Sequence, residues 1–383
     1  MCACFKKHAL VIDNGSGVFR CGRGGDEAPS VEYRTILGSP RYQRVMALAD
    51  RRESLYVGDE AQKRRGLLSL RGVFDDDGNV TDWQDMISLW QAGLHSMKAD
   101  LKGMPLCISV SPRMPTRDRH TLERVCFEQL QVSALLMRAP SLLSLYATGT
   151  SSGCVVSLGE TTTSVSCYVD GYRVADTVFG DVSGRDMDRE LVRHLGLLGH
   201  RLDTAAGREA VREIKERYCR VGLKAERLDM TTDTGVPQGG AGASSLPPDG
   251  EYGCVLPDGT PVDLSTHGLD VGIPETLFQP GVIGGERPGL SELVCAAIGS
   301  VESALRPQLW ASVVLAGGTS LLSGLPHRLG ADLWDARPSG AELVIHAPRK
   351  RDLSAWLGGS MLSELAKDDE WTSRQAWLER GPV

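Results

Sequence analysis

An α/β fold made of two related halves is what this sequence predicts, and three observations predict it. Ala9-Leu10-Val11-Ile12 is a short, β-prone run that ends in Asp13-Asn14-Gly15-Ser16-Gly17 and resumes at Val18-Phe19-Arg20-Cys21, which reads as strand, tight turn, strand. The same unit returns later, where Cys154-Val155-Val156-Ser157-Leu158 leads into Gly159-Glu160-Thr161 and then a Thr- and Val-rich strand over residues 162–168. A third apolar run, residues 312–316, stops at Gly317-Gly318-Thr319-Ser320. Between these strands lie segments of helical period. Residues 116–130 carry Leu122, Val125, Cys126 and Leu130, and residues 208–223 carry Val211, Ile214, Tyr218, Cys219 and Val221.

Each turn can be argued on its own chemistry. Glycine lets backbone N–H groups converge without interference from Cβ, and such concave turns hold anionic oxygens. A single glycine turn is ordinary hairpin chemistry. Two copies at strand ends, joined by a third, predict related halves facing a common cleft that clamps a polyphosphate between them. On the helix at 208–223, Arg212, Lys215 and Glu216 stand at i, i+3 and i+4 and therefore share a face. Residues 234–250, rich in Gly, Ser, Ala and Pro and without periodicity, read as a flexible surface loop.

Composition bounds the function. The chain has 383 residues, of which 41% are hydrophobic and 24% charged, so it can bury a large core as one bilobal unit or two to three domains. Forty-nine acids against 42 Lys and Arg leave a net charge of −7, which argues against binding nucleic acid by bulk charge. The longest apolar stretch, residues 132–147, is interrupted by Arg138 and Pro140 and falls short of a membrane span. The apolar run before Asp13 is too short for a signal-peptide core, which points to the cytosol or nucleus. Ten cysteines without Cys-x-x-Cys spacing read as reduced, mostly buried thiols, with Cys2 and Cys4 at a frayed end. The eight histidines show no metal spacing.

Asp13-Asn14-Gly15-Ser16-Gly17, Tyr56-Val57-Gly58-Asp59-Glu60-Ala61-Gln62, Leu143-Ser144-Leu145-Tyr146-Ala147, Pro274-Glu275-Thr276-Leu277-Phe278-Gln279-Pro280, Gly317-Gly318-Thr319 and Trp356-Leu357-Gly358-Gly359-Ser360 follow one another in an order that resembles actin and the actin-related proteins. The resemblance is collinear over nearly the whole chain. It implies an actin-like ATPase fold: two duplicated α/β lobes around a nucleotide cleft. Residues 1–146 would form the small lobe, with 36–72 as its outer subdomain and 354–383 completing it. Residues 147–353 would form the large lobe, with 183–285 outermost. The implied cofactor is ATP or ADP with Mg²⁺ or Ca²⁺. By the same resemblance the nucleotide would be held by Asn14, Gly15, Ser16, Gly17, Arg20, Gly159, Glu160, Gly184, Arg212, Lys215, Glu216, Gly317, Gly318 and Thr319, with Asp13 toward the metal.

The departures from the family pattern bear on hydrolysis, which needs a positioned water and a metal ion at the terminal phosphate. Pro140 stands where the family has a glutamine, Ser157 where it has an aspartate, and Ser164 where it has a histidine. Glu160 and Thr161 replace an aspartate and a glycine in the second turn, Arg20 replaces a phosphate-contacting lysine, Leu322 an aromatic residue and Asp352 a lysine. Metal binding is expected to be weak. The segments that resemble filament contacts, residues 43–53 and 281–287, are altered as well. These features predict a pseudo-ATPase acting as a scaffolding subunit of a cytoskeletal or motor-associated assembly, cytoplasmic, with other proteins, cytoskeletal complex subunits or actin-family members, as partners and with neither nucleic acid directly nor membrane. The alternatives are a polymerising actin-like ATPase and a nuclear subunit of a chromatin-remodelling complex.

Overall fold

The computed structural model describes residues 9–41, 55–222 and 253–380. The expectations for Cys2 and Cys4, for residues 43–53 and for the loop 234–250 lie outside the described residues. The chain divides into two units, residues 1–149 with 353–383 and residues 150–352.

In the first unit a six-stranded sheet runs in the order Thr372–Ser373, Ala134–Arg138, Pro105–Ser109, Leu10–Asn14, Val18–Arg23, Val31–Arg34. Both of its faces are buried, which explains why its strands read as continuous apolar runs rather than alternating ones. Leu10, Ile12, Leu106 and Ile108 join one core with Phe19, Met86, Trp90 and Phe127, while Val11, Cys107 and Leu136 join the other with Leu143 and Trp356. Successive side chains of a strand point to opposite faces, so one strand feeds both cores. The second core is closed by the helices Pro140–Tyr146 and Ser354–Leu365. A three-stranded sheet, Tyr56–Val57, Ile36–Pro40, Leu68–Gly72, stands apart with its own small core of Ile36, Ala61 and Leu68.

The segment expected to be helical over 116–130 is an α-helix only over Thr116–Arg124 and continues as a π-turn over Val125–Gln129. Val125, Cys126 and Phe127 are consecutive and all buried. A wider turn rotates less per residue, so three neighbouring side chains stay on the core side.

The second unit repeats the layout. Its sheet runs Tyr172–Arg173, Thr163–Val169, Gly153–Leu158, Val313–Ala316, Ile345–His346. In each unit the first strand of the hairpin pairs antiparallel with its sequel and parallel, on its other edge, with a later strand: Leu10 with Leu106 in one, Cys154 with Val313 in the other. Helices Gly184–Leu197 and Ala205–Tyr218 follow. The second starts three residues before the expected position, because Thr204 Oγ1 accepts the N–H of Gly207 and caps it. It stops at Tyr218, where Cys219 turns extended.

Candidate functional site

Within the second unit, four chain segments meet at the turn of the hairpin. The carbonyl of Gly159 accepts the N–H of Gly184 at 3.0 Å and the hydroxyl of Thr319 at 2.9 Å, and the carbonyl of Glu160 accepts the N–H of Arg185 at 2.7 Å. The hairpin therefore caps the start of helix Gly184–Leu197, using two N–H groups that a helix N-terminus otherwise offers to an anion. Close approach explains the glycines. A Cβ on Gly184 would lie 2.7 Å from Thr319 Oγ1, and one on Gly317, whose φ is +88°, would lie 2.3 Å from the Leu158 carbonyl oxygen. Gly318 opens the 3₁₀ turn Gly318–Leu321 and has open space around it. Gly317→Ala is expected to cost about 2 kcal/mol through backbone strain and overpacking; denaturant unfolding checks this, and an unchanged midpoint would show that the turn tolerates a side chain.

Helix Ala205–Tyr218 brings its charged face to this turn. Arg212 Nε lies 3.3 Å from Glu160 Oε2 and 3.0 Å from Glu216 Oε1, held by charge without an aligned hydrogen bond at that nitrogen. Lys215 Nζ donates to the Gly184 carbonyl at 2.7 Å and sits 2.7 Å from Asp188 Oδ1. The predicted residues Gly159, Glu160, Gly184, Arg212, Lys215, Glu216, Gly317, Gly318 and Thr319 thus gather in one place.

Two residues that sequence reasoning missed complete the cluster. Asp188 falls one helical turn after Gly184, a spacing that could have flagged it. Burial pushes its carboxyl up to about 7 against the opposing pull of Lys215. Arg351 is buried and donates to the Ser320 carbonyl at 2.7 Å and to Ser320 Oγ at 3.1 Å, while its own carbonyl accepts the Gly317 N–H at 3.1 Å. It clamps the turn that carries Thr319. In the sequence it sits in the run Arg349-Lys350-Arg351 and resembles any solvated basic cluster.

In the first unit the corresponding turn is tied down differently. A Cβ on Gly15 would lie 2.4 Å from the Val18 carbonyl oxygen. The Gly15 carbonyl accepts Thr35 Oγ1 at 2.6 Å, and the Gly17 carbonyl accepts the Thr35 N–H at 3.2 Å and also the Arg34 guanidinium. Asn14 Oδ1 accepts Trp90 Nε1 at 3.1 Å, and the Asn14 N–H donates to Ser109 Oγ at 2.8 Å. Ser16 lies in the turn between the two strands. Asp13 is buried and accepts the Ser109 hydroxyl at 2.7 Å. Arg20 is also buried; its Nη1 lies 4.0 Å from Asp13 Oδ2 and its Nε donates to Glu32 at 3.0 Å.

Arg20 places a guanidinium 4.0 Å from Asp13 Oδ2, so that carboxylate's charge is already partly answered, whereas hard cations want several oxygen ligands. Among the described residues no group of three or more His, Cys, Asp or Glu is arranged to hold a metal ion.

Pro140 occupies the first turn of helix Pro140–Tyr146, where its missing N–H costs nothing and its ring presets φ, but it brings no amide. Ser157 and Ser164 face each other across the second hairpin and carry no ionisable group. The family model for Actin matches residues 5–383. Together with the duplicated hairpin sheets, this places the chain in the actin family, with the actin-like α/β fold. No helix among the described residues is long and apolar enough to cross a membrane.

Proposed function

We propose that this member of the actin family is a structural subunit that holds an adenine nucleotide without turning it over. Its role is to scaffold a protein assembly of the cytoskeletal or motor-associated kind, in the cytoplasm, with other proteins and actin-family members as partners. The observation that carries this reading is a contrast. Gly159, Gly184, Arg212, Lys215, Glu216 and Thr319 are assembled around one turn, whereas Pro140 brings no side-chain polar group and Ser157 and Ser164 bring no group that carries charge or exchanges a proton near neutral pH. Catalysis of phosphoryl transfer is nearly all positioning and charge, so a site stripped of these groups retains binding and loses rate. Arg20 beside Asp13 further supports a nucleotide held with little help from a metal.

Purified protein is expected to release adenine nucleotide on denaturation, or to gain thermal stability with added ADP or ATP, and to liberate no phosphate above background with Mg²⁺ present. Steady phosphate release would overturn the pseudo-ATPase part. Absence of any stabilisation at millimolar nucleotide would overturn the binding part and leave the scaffold reading to stand on outer surfaces. Cosedimentation into filaments driven by ATP would favour a polymerising ATPase instead.

A further inference from the structure

Two thiols face each other inside the second unit's hairpin. Cys154 on strand Gly153–Leu158 stands directly opposite Cys167 on strand Thr163–Val169. The Cys154 N–H points away from that partner and donates to the Ser312 carbonyl at 2.8 Å, while the Cys167 carbonyl also points away and accepts the Val174 N–H at 3.0 Å. The two residues are therefore a non-hydrogen-bonded antiparallel pair, the kind whose Cα atoms lie about 4.5 Å apart. Disulfides span Cα separations of about 4.4–6.8 Å, so this pair can close without moving the backbone. Opposite residues share a face of the sheet; both side chains enter one core, and the Cys154 thiol hydrogen-bonds to Cys167. Among the described residues no other two cysteines stand opposite one another across a strand pair.

Burial sets when the pair can react. Cys154 is 0% and Cys167 1% exposed, and a thiol shut away from solvent is a poor nucleophile because its thiolate is scarce. Helix Leu290–Gly299, which packs on both strands and carries the partly buried Cys295, is synthesised well after the hairpin. Until it arrives, the two thiols are open to exchange. We infer that Cys154 and Cys167 form a latent cross-strand disulfide whose state is set while the chain folds. One cysteine thiolate attacks a low-molecular-weight disulfide, which releases a first thiol and leaves a mixed disulfide; the other cysteine then attacks the protein-side sulfur and expels the second thiol. Two cysteines are oxidised, one small disulfide is reduced to two thiols, and the cysteine protons pass to the leaving thiolates. A chain folded in a reducing compartment keeps both thiols. A chain folded under oxidising conditions carries a bond across the hairpin whose turn, through the Gly159 and Glu160 carbonyls, caps helix Gly184–Leu197.

The test is to synthesise the full chain in a cell-free system poised either with reduced glutathione alone or with reduced and oxidised glutathione together, block free thiols in denaturant and map the peptides by mass spectrometry. The oxidising synthesis is expected to give soluble protein in which Cys154 is joined to Cys167, with a thermal midpoint raised by roughly 5–10 °C, as closure of a short loop in a unit of this size implies. Protein made under reducing conditions and then given the oxidising mixture in its folded state is expected to keep both thiols. Cys154→Val with Cys167→Val should show the same midpoint from either synthesis. Pairing of Cys154 or Cys167 with Cys295, or a Cys154–Cys167 bond that leaves the midpoint unchanged or lower, would overturn the latent disulfide; rapid oxidation of the folded protein would overturn its timing. Should the oxidising synthesis give no soluble chain, reduced protein loosened in urea below its unfolding midpoint and given the same mixture decides the matter: a first buried pair other than Cys154–Cys167 overturns the inference.

Discussion

Gly358→Ala is expected to lower the stability of the first unit by about 3 kcal/mol, the upper end of ordinary overpacking. Gly358 lies inside helix Ser354–Leu365, where alanine would normally be an improvement worth about 1 kcal/mol. Here the added methyl would sit 1.7 Å from the carbonyl oxygen of Leu143 and 2.5 Å from its carbonyl carbon. Those atoms are backbone of helix Pro140–Tyr146 and have no rotamer to escape into. The neighbouring Gly359 is less confined, its would-be methyl meeting the side-chain atom Val11 Cγ1 at 2.9 Å. Moving helix Ser354–Leu365 away would disturb Trp356, which is fully buried in the same core and donates to the Val11 carbonyl at 3.3 Å. Thermal unfolding should show a drop of roughly 6–12 °C, by the usual scaling for units of this size. Gly196→Ala, at a helical glycine with nothing within 4 Å, is the control and should be neutral or slightly stabilising. Equal midpoints for the two variants would refute the close-packing account.

Arg328→Met should be as damaging to the second unit. The Arg328 guanidinium is buried, donates to both oxygens of Glu275 at 2.9 Å, reaches Asp332 at 3.1 Å and lies 4.5 Å over the ring of Phe278. It joins helix Leu325–Ala336 to helix Leu269–Glu275. Methionine fills much of the volume but removes the cation from Glu275 and Asp332, which keep only part of their support, such as Gln279 and Ser291, and breaking a buried pair in this way costs up to about 3–5 kcal/mol. Arg328→Lys keeps the charge while losing the paired fork, so it should fall between the two. Urea unfolding measures all three proteins, and a loss below about 1 kcal/mol for the methionine variant would mean that the pair contributes little beyond its desolvation cost.

Much of the sheet scaffold was legible because its signals are local. The apolar runs at Leu10–Asn14, Gly153–Leu158 and Val313–Ala316 and the glycines that end them need no distant partner to be recognised. The duplicated hairpin followed from the same residues. What stayed hidden depends on pairs far apart in the chain. Glu160 reads as a ligand residue in a turn, yet its carboxylate is engaged by Arg212 on another element. Lys215 reads as one member of a charged helix face, but it is buried against Asp188. Arg351 and Arg328 look like surface cations until the fold closes over them. The π-turn at Val125–Gln129 escaped because periodicity alone registers which residues are apolar, not how many neighbours the core must accept at once.

The first unit is discontinuous, and this sets an order of assembly during synthesis. Its strand Ala134–Arg138 is made before the second unit, but the partner Thr372–Ser373 leaves the ribosome after it, together with Trp377, whose ring stacks on Phe127 at 5.2 Å. Helix Ser354–Leu365, which closes one face of the sheet, is equally late. The second unit lies wholly between these pieces and can complete itself while the first still waits with an open edge. A nascent chain released before residue 353 would therefore carry a finished second unit and an unprotected sheet, the state in which edge strands recruit other chains.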